Sequence, residues 1–196
     1  MERMNSNYLN AIFEDSKNNL WIATEDKGLF WFSPQSNALH QFKAPFNLPG
    51  DDVSSICEDR KGNIFVGTLT NGVFCLSNTI NGYAESFKSI SYKNNITLNV
   101  KTLILGDQDN LFIGTDGDGL KVYNAVKNII EDYEVNAAPF DFSKSKVHSI
   151  LKDRDKNLWL GIFQKGLILI PGAINKFDYY GSKSVKTNTI GSNCVM

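Results

Sequence analysis

Four groups of side chains in this chain are of types that do chemistry. The first are the acidic pairs Glu14-Asp15 and Glu58-Asp59. Two carboxylates flanking one bond are the apparatus of glycoside hydrolysis. Neighbours on a strand point to opposite faces, so neither pair can act jointly on one bond. Each pair stands before a turn, where an Asp carboxylate accepts hydrogen bonds from the turn's own N–H groups. The second group is Asp107-Gln108-Asp109 and Asp116-Gly117-Asp118-Gly119, which look like pieces of calcium loops. The loop spacing D-x-[DN]-x-[DN]-G with a closing glutamate is not met, so no metal is expected. The third group, His40 and His148, forms no i, i+4 helical pair and no ligand set. His148-Ser149 lacks the G-x-S-x-G elbow, and no Gly-rich loop carries G-K-[ST]. The fourth is Cys57, Cys75 and Cys194, an odd count without a C-x-x-C pair, which reads as three free, buried thiols. No catalytic residue and no cofactor is therefore expected, and the chain reads as a non-enzyme.

Bulk properties narrow the partners. The formal net charge of the 196 residues is -1, which provides no global drive toward nucleic acid or an anionic membrane. Hydrophobic content of 42% and charged content of 21% are ordinary for a globular domain with a core. The longest apolar runs, such as Gly166-Leu167-Ile168-Leu169-Ile170, are far too short to span a bilayer. Residues 1–7 lack the apolar stretch of a signal peptide. That fits either a cytoplasmic chain or a fragment whose signal lies elsewhere.

The elements that position these side chains come in four copies. The aromatics Trp21, Phe65, Phe112 and Trp159 are spaced by 44, 47 and 47 residues. Around each, the same positions recur: an asparagine two before (Asn19, Asn63, Asn110, Asn157) and a glycine seven after (Gly28, Gly72, Gly119, Gly166). An aliphatic stands nine before (Ile12, Ile56, Leu103, Ile150), and another three further back (Leu9, Val53, Val100, Val147). An aromatic follows each glycine by 14 or 15 residues (Phe42, Phe87, Tyr133, Tyr180). Each copy reads as four short strands rich in β-branched and aromatic residues and bounded by turn residues. The fourth strands are expected near Leu39–Phe42, Ala84–Ser89, Ile129–Val135 and Lys176–Tyr180. The turn before the central aromatic favours a positive φ, which Gly62 and Asn18 accept; Lys156 there is strained, and Gly106 to Asn110 departs most.

A four-stranded antiparallel unit of about 45 residues, repeated, is a β-propeller blade. The expected fold is all-β: one partial propeller over residues 1–196, with blades near 9–42, 53–87, 100–133 and 147–180. A β-sandwich would not need so even a period. Ile190 to Met196 parallels Leu48 to Ser54, so residues 190–196 read as the start of a fifth repeat and the chain as a piece of a larger propeller. Four blades in an open arc would leave two apolar faces uncovered. Self-association or further blades is the expected partnership, with closure into a four-blade ring as the other outcome.

The repeated aromatics read as packing between blades rather than as sugar-stacking platforms. Recognition belongs on loops where the copies differ. The turn between the second and third strands lies on one rim with the link to the next blade. That rim gathers Glu25, Asp26 and Lys27; Leu69, Thr70 and Asn71; Asp116, Gly117 and Asp118; and Phe163, Gln164 and Lys165. Phe163 is the odd residue among the tips, and with Gln164 it is the first choice for a carbohydrate contact.

The stretch Ile56-x-Glu58-Asp59-Arg60-Lys61-Gly62-Asn63-Ile64-Phe65-Val66-Gly67-Thr68-x-x-x-Gly72-Val73 resembles the two-component regulator propeller repeat. Copies one and four match through Ile12 to Thr24 and Ile150 to Gly161; copy three matches only from Asn110 to Thr115. The resemblance covers about residues 9 to 180. It implies the periplasmic sensor region of hybrid histidine kinases of Bacteroides type, which sense glycans and carry more repeats, a membrane helix and kinase domains. By that resemblance the chain is expected to be a ligand-sensing or scaffold segment of such a sensor, with an oligosaccharide as ligand. Similar propellers occur in streptogramin-lyase-like enzymes, so a propeller lyase and a purely structural dimerisation segment are the other readings.

Overall fold

The computed structural model of the chain describes residues 4–44, 47–79, 82–93, 96–133 and 143–172, and the backbone of 178–180. The first blade is β1 (Leu9–Glu14), β2 (Leu20–Thr24), β3 (Leu29–Ser33) and β4 (Ala38–Phe42). The second is β5 (Val53–Glu58), β6 (Ile64–Thr68) and β7 (Gly72–Leu76), then a hairpin of β8 (Asn78–Thr79) and β9 (Gly82–Tyr83), then β10 (Lys88–Ser89). The third is β11 (Val100–Leu105), β12 (Leu111–Thr115), β13 (Leu120–Asn124) and β14 (Ile129–Asp132). The fourth is β15 (Val147–Lys152), β16 (Leu158–Ile162), β17 (Gly166–Ile170) and β18 (Asp178–Tyr180). Each blade is an antiparallel four-stranded sheet in meander order, with β10 as the outer strand of the second. Residues 190–196 lie outside the described residues. Among the described residues no helix is long and apolar enough to cross a membrane.

A bulge explains why the repeated aliphatics are three apart. Three residues along a regular strand would put two side chains on opposite faces. In all four first strands the register shifts within the first three residues, between Leu9 and Ala11, Val53 and Ser55, Val100 and Thr102, and Val147 and Ser149. The extra residue returns both aliphatics to one face.

That face packs on the blade before it. β1 lies against β5, β5 against β11, and β11 against β15. Each junction has its own core. Trp21, Ala23, Leu29 and Phe42 of the first blade meet Val53, Ile56, Ile64 and Val66 of the second. Cys57, Phe65 and Val73 meet Val100, Leu103, Leu111 and Ile113. Ile104, Phe112 and Leu120 meet Val147, Ile150, Leu158 and Leu160. An interior blade is thus apolar on both faces, and β6 is buried at every residue. Among the described residues β15 makes no comparable contact with β1, so the four blades form an arc and not a closed ring.

The second blade departs from the repeat at its outer edge. Phe42, Tyr133 and Tyr180 all stand opposite the residue after their blade's fixed glycine. In the second blade Ile90 holds that place, its N–H donating to the Val73 carbonyl at 3.0 Å, and Phe87 does not. Ile90 follows Gly72 by 18 residues, where Phe42 follows Gly28 by 14. The extra residues form the β8–β9 hairpin, and the fourth strand shrinks from the expected Ala84–Ser89 to Lys88–Ser89. The hairpin's Tyr83 packs edge-on against Trp21 at 5.1 Å and Trp31 at 5.8 Å. Phe87 meets Phe42 of the first blade, edge to face at 5.3 Å.

Candidate functional site on the blade-tip rim

The turn aspartates are structural. Oδ1 of Asp15 accepts from the backbone N–H groups of Lys17 and Asn19, both at 2.9 Å. Its Oδ2 accepts from the Trp21 indole at 2.7 Å and the Tyr83 hydroxyl at 2.9 Å. Asp153 repeats the pattern with Asp155, Asn157 and Trp159, and Asp59 with Lys61 and Asn63. Burial works against a charge on Asp15, but the Trp21, Asn19 and Tyr83 donors hold its pKa below the ordinary carboxylate value. Gly106 replaces the aspartate in the third blade, where Gln108 and Asp109 take φ of 54° and 61°. Lys156 sits in the left-handed region at φ 65°. Glu58 serves a neighbour: its carboxylate accepts from the Ser16 hydroxyl and N–H at 2.6 and 2.8 Å.

The opposite rim carries the variable tips. In the first three blades a buried threonine buckles the turn. The hydroxyls of Thr24, Thr68 and Thr115 donate to the carbonyls of Gly28, Gly72 and Gly119 at 2.7, 3.1 and 2.7 Å. They accept from the N–H groups of Lys27, Asn71 and Asp118 at 2.9–3.0 Å. The fourth blade has Ile162 at this position. Its turn closes instead through the Lys165 N–H to the Ile162 carbonyl at 3.0 Å, with Gln164 at φ 57°. Each tip is tied to the residue before its own first strand: Glu25 to Tyr8, Leu69 to Asp52, Asp116 to Asn99 and Phe163 to Lys146.

Two of the sequence-predicted residues meet across one seam. Asp116 of the third blade and Phe163 of the fourth both touch Lys146 and His148. The Lys146 ammonium lies 2.9 Å from Asp116 Oδ1, and that of Lys101 3.9 Å from Oδ2. His148 stacks on Phe163 at 4.9 Å, with its Nε2 3.6 Å from Asp116 Oδ1, beyond hydrogen-bond reach. Burial opposes charge on Asp116, but Lys146 and then His148 lower its pKa below the ordinary value. Gln164, Lys165 and Asp118 are exposed around this seam. Glu25, Asp26 and Asn71 stand apart: Asp26 accepts from Ser6 and lies 3.8 Å from Lys27, and the Asn71 amide bonds Thr70 at 2.9 Å.

His148 was the residue sequence reasoning set aside. Its repeat position, second in the first strand, holds Asn10, Ser54 and Lys101 in the other blades. A polar residue at that bulge in every copy was the available signal. His40 lies on the outer strand β4, stacked on Trp31 at 4.6 Å. Cys57 is buried and Cys75 half-buried; both are free thiols, pushed up to about 12 by burial, then by Asp59. Cys194 lies outside the described residues. No group of three or more His, Cys, Asp or Glu side chains converges among the described residues.

Meandering four-stranded sheets stacked face to face around their first strands define the class: these are β-propeller blades. Residues 3–26, 47–70 and 141–164 match the family described as two component regulator propeller. Three of the four blades thus carry a match to that repeat. The third blade, with glycine for the turn aspartate, is the copy without a match. No curated protein matches the chain. Similar solved structures include the extracellular domain of a hybrid two-component system of B. thetaiotaomicron, at 20% identity and TM-score 0.71, covering 95% of this chain and 24% of that one. The extracellular domain of a one-component system of the same organism aligns at 21% identity and TM-score 0.75, over 99% of this chain and 25% of that one. A catalytically inactive virginiamycin B lyase of Staphylococcus aureus, with quinupristin, aligns at 14% identity and TM-score 0.66, over 93% of this chain and 59% of that one. The chain thus spans about a quarter of the sensor domains that it resembles.

Proposed function

We propose that the chain is a blade segment of an extracytoplasmic two-component sensor and that its blade-tip rim contacts an oligosaccharide. The observation that carries the ligand reading is the seam where Asp116, Lys146, His148 and Phe163 meet. Two blades contribute to it, so a ligand there would bias how they sit on each other. The exposed Gln164 amide, Lys165 ammonium and Asp118 carboxylate supply donors and acceptors for hydroxyls, around an aromatic pair. The repeat family and the extracellular location of the similar sensor domains support a periplasmic setting.

Calorimetric titration with a panel of oligosaccharides tests the ligand reading. The expected result is binding to one of them, weakened about tenfold or more by F163A and by D116A, corresponding to roughly 1.4 kcal/mol. Absence of binding across the panel, or binding indifferent to both substitutions, counts against the rim. The lyase reading rests on the His148–Asp116 pair at the end of an innermost strand. Incubation with quinupristin tests it, and an unaltered compound removes it.

A further inference from the structure

The seam between the third and fourth blades differs in charge from the other two junctions. Lys101 of the third blade, and Lys146 and His148 of the fourth, converge there on Asp116. At the junction of the first two blades the equivalent positions hold Asn10, Asp52 and Ser54. At the second junction they hold Ser54, Asn99 and Lys101. A lysine thus stands where an aspartate enters the second blade. The tip of the fourth blade adds Lys165 and the link before it Lys144, both exposed, while the third tip adds Asp118. Four lysines surround two aspartates, so the seam is cationic on a chain whose formal net charge is -1.

Asp116 does not use up the charge gathered on it. The Lys146 ammonium is 2.9 Å from Oδ1, but that of Lys101 stands 3.9 Å from Oδ2, at the outer limit of an ion pair. Each ammonium carries three donors, and one carboxylate serves both. Among the described residues neither lysine has a second carboxylate partner. Lys146 also lies 5.9 Å from the centre of the Phe163 ring, whose other neighbour in the seam is the stacked His148. A half-exposed cation therefore stands beside a half-buried aromatic. Asp116 and Lys101 are more sheltered, at 27% and 31% exposure, and charges sheltered in this way are screened less by salt than those on an open surface.

We infer, on the oligosaccharide reading of this seam, that its ligand is anionic: a saccharide bearing carboxylate or sulfate groups, whose negative charge is received by Lys146 and Lys101 while Phe163 bounds the sugar ring. Lysine is a compact charge with rotatable donors, so it suits either group. A hydrogen bond between ammonium and anion is about twice as strong as one between neutral groups. A neutral sugar would leave that charge unanswered, and a cationic ligand or metal ion would meet like charge. Asp116 is a positioning residue here. It draws the two ammoniums from neighbouring blades to one place, which is why its removal weakens binding although it carries the sign of the ligand.

Calorimetric titration of the 196-residue chain with matched pairs tests this. The pairs are tetragalacturonate with its full methyl ester, and a carrageenan tetrasaccharide with its desulfated form; cellotetraose and xylotetraose are the neutral controls. The expected result is that an anionic member binds about tenfold or more tighter than its neutral counterpart. That advantage shrinks as sodium chloride rises from about 50 to about 500 mM, while neutral binding is unchanged. K146M and K101M each weaken the anionic ligand by about tenfold and leave its neutral counterpart unaffected, and K146R retains most of the affinity. Binding of the galacturonate pair assigns a carboxylate, and of the carrageenan pair a sulfate ester; either supports the inference. Equal affinity for charged and neutral members, with F163A weakening both, overturns the anionic ligand and leaves the seam as a saccharide site. A preference for charge that is indifferent to K101M and K146M also overturns it. Absence of binding by every member removes the saccharide reading of the seam, and the anionic ligand with it.

Discussion

Replacing Asp15 with alanine should destabilise the chain far more than the same change at Asp59. Both carboxylates hold a turn by two backbone N–H groups and an asparagine side chain. Only Asp15 also accepts from a fully buried indole, Trp21, and from Tyr83 of the neighbouring blade's hairpin. Loss of the turn bonds alone costs about 1–2 kcal/mol, the size of a lost cap. D15A leaves the Trp21 and Tyr83 donors without an acceptor as well. Each such buried group costs about 1–3 kcal/mol, and Tyr83, half-buried, recovers part of it from water. The expected difference between D15A and D59A is therefore roughly 2–4 kcal/mol. Urea unfolding followed by circular dichroism measures it. A double-mutant cycle of D15A with W21F isolates the indole bond, with an expected coupling of about 1–2 kcal/mol. Equal losses for D15A and D59A within about 0.5 kcal/mol, or zero coupling to Trp21, would refute the reasoning.

Three further outcomes follow from single contacts. Burial opposes charge on Asp132, but Lys121, Lys93 and Tyr92 hold its pKa far below the ordinary value; a depressed carboxylate stabilises above its unfolded value and loses that contribution as pH falls. D132N should thus lower stability at neutral pH and flatten the loss below about pH 4, measured by urea midpoints against pH. A Cβ on Gly114 would stand 2.6 Å from the Val147 carbonyl oxygen and 2.6 Å from Thr102 Cγ2. The backbone of the next blade cannot give way as a side chain does, so G114A should cost about 1–3 kcal/mol by thermal unfolding. K156G should raise stability by up to about 1 kcal/mol, because Lys156 holds φ 65° and glycine takes it without strain.

The site was harder to read than the frame, and the reason is visible at particular residues. Trp21, Asn19 and the turn aspartates recur because every blade needs the same turn and the same packing. Phe163 stands out because it breaks the pattern of the tips, and Asp116 is one of the variable tip residues beside it. That they share Lys146 and His148 depends on one blade's tip lying beside the next blade's first strand. Spacing along the chain carries no information on that. His148 was set aside because a lone histidine in a strand has no partner in sequence; its partners come from Asp116, 32 residues earlier, and Phe163, 15 later.

The amino-acid sequence alone determined the repeat, the strands within it and the all-β class, because strand period, turn residues and glycines are local properties. Tertiary structure decided what local pattern cannot carry. It placed Ile90 rather than Phe87 in register, since hydrogen bonding across strands, not aromatic character, sets the partner of Val73. It used the extra residues of the second blade to drape Tyr83 over Trp21. It also left Leu9, Ile12 and Leu151 exposed at the two ends of an arc while burying their equivalents within it. Burial is a property of what lies on the other side of a sheet, and only the assembled blades supply that.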